Sequence, residues 1–163
     1  ALLILDEPTS ALDVTTQAQL LDELAGLRQR FGTSMIFISH DVALLSEIAN
    51  TLLVMYAGQV CEHGPRSEVI ESPQHPYTRA LLKAVERVAI PGDGRLAAIP
   101  GDPPDPANRR PGCPFAPRCP HAMPVCTELV PEPVTVGPRH AAVCHLLIKK
   151  RKSRLDDVPN ISV

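Results

Sequence analysis

Near the start of the chain, Leu2-Leu3-Ile4-Leu5 run without a break into Asp6-Glu7. A short apolar run with no polar alternation suits a strand buried on both faces by helices. Two carboxylates at its end then fall at the rim where open α/β sheets place their chemistry. One of them can hold a hard divalent cation through oxygen, and the other can activate or orient a water. A strand that needs cover on both faces needs elements that these 163 residues do not supply, so the chain is expected to be the C-terminal part of a longer protein.

Downstream residues extend the α/β reading. Asp13 is placed to cap a helix over Val14 to Arg30, with Leu21, Leu24, Leu27 and Phe31 at three- and four-residue spacing and Gly32 as its stop. Ser34 to Ile38 forms the next buried strand and ends in Ser39-His40-Asp41. Taken alone, a histidine there is more often structural than chemical. Asp41 caps a short helix carrying Leu44, Leu45 and Ile48. Thr51 to Met55 and Gln59 to Cys61 read as a hairpin around Ala57-Gly58, with Cys61 a small buried side chain. A short helix follows over Ser67 to Glu71, and a proline-bounded turn feeds a docking helix with Tyr77, Leu81 and Val85 on one face.

After residue 87 the composition changes. Thirteen of the 18 prolines lie between Pro91 and Pro138, which argues against long helices and central strands. Ile99 to Pro106 reads as an extended linker. From Cys113 to Cys144 there are too few apolar residues for an independent core, so a covalent or metal staple is expected. Five residues separate Cys113 from Cys119, six separate Cys119 from Cys126, and seventeen separate Cys126 from Cys144. An odd count of five cysteines fits poorly with a fully paired disulfide framework, and disulfides would be disfavoured if the protein is cytosolic. Zinc sites usually use closer pairs. An iron–sulfur cluster tolerates wider gaps, though none of the common ferredoxin spacings matches. His121 and His145 are read as neighbours and not ligands. Lys149 to Arg154 is a basic tail, read as a solvated terminus, with contact to anionic lipid as the alternative.

The bulk numbers exclude several classes. A net charge of −2 gives no global basic field for nucleic acid. No apolar run approaches the ~20 residues of a membrane span. With 3% aromatics, recognition by stacking is disfavoured.

Asp6-Glu7 followed by Pro8-Thr9-Ser10-Ala11-Leu12-Asp13 resembles the Walker B segment and D-loop of ABC ATPases. His75-Pro76-Tyr77-Thr78-Arg79 and Gly112-Cys113-Pro114-Phe115-Ala116-Pro117-Arg118-Cys119-Pro120, with Cys126 and Gly137-Pro138-Arg139-His140, resemble the oligopeptide and dipeptide importers, whose relatives move nickel or glutathione. The resemblance implies part of a P-loop NTPase-like α/β sheet with flanking helices over residues 1–87. A proline-rich linker (88–112), an irregular Cys-rich module (113–146) and a basic tail (147–163) would follow. It implies ATP and Mg²⁺ as cofactors, Asp6 toward magnesium, Glu7 as general base, Ser10 and Asp13 at the nucleotide-dimer contact, and His40 as the switch toward the γ-phosphate. It also implies a [4Fe-4S] cluster on Cys113, Cys119, Cys126 and Cys144. The partners would be a second ATPase subunit, membrane permeases and, indirectly, an extracytoplasmic binding protein, at the cytoplasmic face of the membrane. No G-x-x-x-x-G-K-[ST] loop, glutamine loop or Ser-Gly-Gly signature occurs, so this polypeptide alone is expected not to hydrolyse ATP. The rival reading is a non-catalytic iron–sulfur or zinc interaction module on a degenerate cassette. A soluble cassette of translation or DNA repair is a weaker rival.

Overall fold

The computed structural model describes residues 1–88, 99–105, 107 and 110–149. Most of the expected linker and the basic tail beyond Lys149 lie outside the described residues. The chain is α/β, with two small sheets divided between two compact units, residues 1–49 and 50–163.

In the first unit, β1 (Leu2–Asp6) and β2 (Ser34–Ile38) pair in parallel, with α1 (Val14–Phe31) between them in sequence and α2 (Val42–Ile48) after. Local chemistry sets the helix ends. Asp13 accepts from the Thr16 amide at 3.0 Å, and Asp41 accepts from the Leu44 amide at 3.0 Å. Gly32, at φ +59°, closes α1 in the left-handed region.

Burial departs from the expectation for the apolar run. Leu3 and Leu5 are half-buried, but Leu2 and Ile4 are 59% and 60% exposed, and Ile36 and Ile38 on β2 are exposed too. A two-stranded sheet has one covered face here, so a sequence written for cover on two sides leaves every second side chain open. The helix stripe behaves alike: only Leu24 of α1 is buried, and Leu27 and Phe31 are exposed.

The second unit is an antiparallel sheet ordered β3 (Thr51–Tyr56), β4 (Gln59–Pro65), β6 (His140–Val143), β5 (Pro133–Gly137). Around it lie α3 (Arg66–Glu71), α4 (Pro76–Val88), a 3₁₀ turn at Ala116–Arg118 and α5 (Pro124–Glu128). Ala57 and Gly58 have φ of 50° and 76°, the two positive values that a tight two-residue hairpin demands. Pairing continues to Pro65, well beyond the Gln59–Cys61 expected.

The proline-rich stretch holds more order than its composition suggests. β6 is a central strand and contains no proline, whereas Pro133 sits on the edge strand β5, where a missing N–H is tolerated. Nor does the region lack apolar packing, since Val134, Ala142, Cys144 and Leu147 form one small core. Tyr56, Cys61 and Phe115 form another, with Tyr77, Ile99, Cys113 and Cys119 packed on it. Ile99 and Pro100, expected in the linker, are held by Arg118, whose guanidinium donates to both carbonyls and to the Tyr56 hydroxyl.

Candidate functional site

The parallel register aligns Asp6 with Ile38, and the Glu7 amide extends it by donating to the Ile38 carbonyl at 2.9 Å. The residues just past both strand ends are therefore brought together. His40 Nδ1 donates to Glu7 Oε1 at 2.8 Å, and the His40 amide donates to the same oxygen at 3.1 Å. Glu7 has φ +45°, a left-handed conformation that costs a non-glycine residue about 1–3 kcal/mol and that clusters at functional sites. Its second oxygen, Oε2, is buried and has no hydrogen-bond partner among the described residues. A buried acceptor without a donor is unfavourable. One carboxylate oxygen is thus fixed and the other is left for a water or another donor. The bond from Glu7, and then the Glu7 charge, hold the His40 imidazole above its usual pKa.

The other residues expected here divide. Asp6 is exposed at the end of β1 with no side-chain hydrogen bond among the described residues. Ser10 Oγ donates to the Glu7 carbonyl at 3.0 Å and so braces the turn behind the carboxylate. Asp13 stands apart as the α1 cap, with its two oxygens on the Thr16 amide and hydroxyl. These bonds, the backbone one first, hold its carboxyl below the ordinary range.

In the second unit, Cys113, Cys119, Cys126 and Cys144 line one pocket, together with His75, His121 and His145. Gly112, at φ +83°, makes this approach possible: a Cβ there would lie 2.4 Å from the Cys126 carbonyl. The next residue, Cys113, donates its amide to that carbonyl at 2.8 Å. Burial is the first cause that pushes the Cys113, Cys119 and Cys144 thiols up. All five cysteines are free, and burial drives Cys61 to about 12, an inert thiol. Among the described residues, no group of three or more His, Cys, Asp or Glu side chains is arranged to hold a metal ion.

Glu62, His75 and His140 had no side-chain role assigned from the sequence. Glu62 is fully buried. It accepts from the Gln74 amide (2.7 Å), the His75 amide (2.8 Å) and His140 Nε2 (2.7 Å). His140 also faces Glu68 at 3.3 Å through Nδ1. His75 is 2% exposed, and its Nδ1 accepts from the Tyr77 amide at 3.0 Å. Burial pulls its pKa down to about 4, against the Glu62 charge, so the ring is neutral near pH 7. No sequence signal marked Glu62: glutamate is almost never fully buried without partners, and its partners lie at Gln74, His75 and the distant His140.

Residues 61–126 match the family described as oligopeptide/dipeptide transporter, C-terminal region. The chain is 48% identical over 130 residues to the oligopeptide transport ATP-binding protein OppD of Escherichia coli, covering 80% of this chain and 38% of that one. The chain belongs to the peptide-import ATP-binding protein family. The dipeptide transport ATP-binding protein DppD of Bacillus subtilis is 43% identical over 145 residues, covering 89% of this chain and 43% of its own. This chain thus spans about two fifths of the length of the curated relatives it matches. The reading as a non-catalytic module finds no support among them. No described helix is long and apolar enough to cross a membrane.

Proposed function

We propose that this peptide-import chain is the C-terminal part of an ATP-hydrolysing subunit that drives uptake of oligopeptides, dipeptides or a related solute. The contact between Glu7 and His40 carries the reading: a carboxylate pinned through one oxygen while the other has no partner is a general base prepared for a water. Phosphoryl transfer needs mainly positioning and charge neutralisation. In this assignment Glu7 takes the proton of the attacking water and His40 holds Glu7 and reaches toward the γ-phosphate. Asp6, exposed at the sheet rim, would hold Mg²⁺, which when bound neutralises phosphate charge. Ser10 and Asp13 belong to the nucleotide-dimer contact. A P-loop NTPase-like sheet, a second ATPase subunit, permeases, an indirect binding protein and a peripheral place on the cytoplasmic membrane face complete the proposal. In the full-length protein, Glu7→Gln should retain ATP binding and lose turnover. Undiminished hydrolysis in that variant would overturn the assignment.

A [4Fe-4S] cluster is the second part of the proposal: four cysteines line one cavity, although among the described residues no group of three or more side chains is arranged to hold a metal ion. A cluster spreads its ligands over several irons, and its positive irons favour the thiolates that burial disfavours. Cys113, Cys119, Cys126 and Cys144 would hold it, and when bound a [4Fe-4S] cluster supplies one-electron storage. Anaerobic purification with iron and acid-labile sulfide assays tests this. Zinc without sulfide would reject it.

A further inference from the structure

We infer that His75 is a neutral N–H donor to the group held by the four cysteines, and that it raises that group's affinity for an electron. The inference rests on the cluster reading above and extends it to a residue outside the ligand set.

Four observations on the ring converge. Nδ1 accepts from the Tyr77 amide, so the ring's single proton resides on Nε2. Nε2 has no hydrogen-bond partner among the described residues, although the side chain is only 2% exposed. His75 is one of the residues that line the cysteine pocket. Its backbone is fixed from behind, because Glu62 Oε2 accepts the His75 amide at 2.8 Å while Oε1 accepts from Gln74 and His140. The imidazole therefore has a set tautomer and a set position, and only one donor left to give.

The other pocket histidines differ. His145 Nε2 already donates to the Leu129 carbonyl at 2.9 Å, and His121 is exposed. An N–H directed at thiolate or sulfide sulfur stabilises the more negative, reduced form more than the oxidised one. Hydrogen bonds to sulfur are among the determinants of cluster potential.

The test uses the full-length protein, purified without oxygen. Iron and acid-labile sulfide come first, and their absence from the wild type rejects the cluster reading and this inference with it. With a cluster present, protein labelled with ¹⁵N-histidine is reduced by a chemical reductant and studied by pulsed EPR. A histidine nitrogen coupling is expected. In parallel, His75→Asn keeps an acceptor for the Tyr77 amide, since Asn is a good N-cap, but is too short to carry an N–H into the pocket. It should retain iron, lose the coupling, and be reduced with about a tenfold smaller equilibrium constant, a fall of about 59 mV for one electron. Full iron content with an unchanged potential, or no histidine coupling in the wild type, would overturn the inference with the cluster reading intact. If the variant fails to fold, the wild-type coupling decides.

Discussion

Two carboxylate–imidazole pairs stand in this chain at almost the same distance, Glu7–His40 at 2.8 Å and Glu62–His140 at 2.7 Å. The His40 and Glu7 side chains are 80% and 37% exposed, whereas those of His140 and Glu62 are 4% and 0%. In the first pair water screens the charges, so the contact adds little to stability and its value is orientation. In the second, three N–H donors offset the desolvation of one carboxylate, and removing either partner strands a buried polar group. Hydrogen-bond length does not separate the two roles; access to water does.

The contrast can be broken most forcefully at Glu7. In the full-length protein, Glu7→Gln should lower ATP turnover by about 10²–10⁴-fold. Stability should stay within about 0.5 kcal/mol, as for an ordinary surface change. Phosphate release and a denaturant melt check both arms. Glu62→Ala should do the reverse to the fold, costing about 3–5 kcal/mol in urea unfolding. Gly112→Ala should cost about 1–3 kcal/mol through backbone strain and lower iron retention, measured on the same samples.

A gentler probe is the titration of His40 by NMR. Its pKa is raised by Glu7, so the pair's contribution is complete below the ordinary histidine value and fades as pH climbs through the raised one. Glu7→Gln should bring the midpoint back toward the ordinary value near 6.5. The smallest effect is expected at Ala57, whose φ of 50° suits Asn better: Ala57→Asn should gain less than about 1 kcal/mol, read as a raised Tm.

What the sequence disclosed was local or carried by resemblance. Asp13 and Asp41 as caps, Gly32 as a stop and Ala57-Gly58 as a hairpin turn are decided by a few neighbouring residues. The parallel pairing then needed only two strand ends to bring Glu7 to His40. Glu62 and His140 are 78 residues apart, and β6 enters the sheet from beyond the prolines, so no periodic pattern announced either. The exposed side of β1 and β2 failed for the opposite reason. Leu2 and Ile4 record the burial a strand is suited to, and a two-stranded sheet does not provide it.

The insertion of β6 between β4 and β5 bears on any attempt to shorten this protein. Trimming the C-terminus ahead of His140 would strip β4 of one of its two neighbours and leave bare amides and carbonyls on that edge, next to a glutamate that has lost its histidine. Unpaired edges of that kind recruit other chains, so such a truncation should yield aggregates instead of a smaller soluble domain.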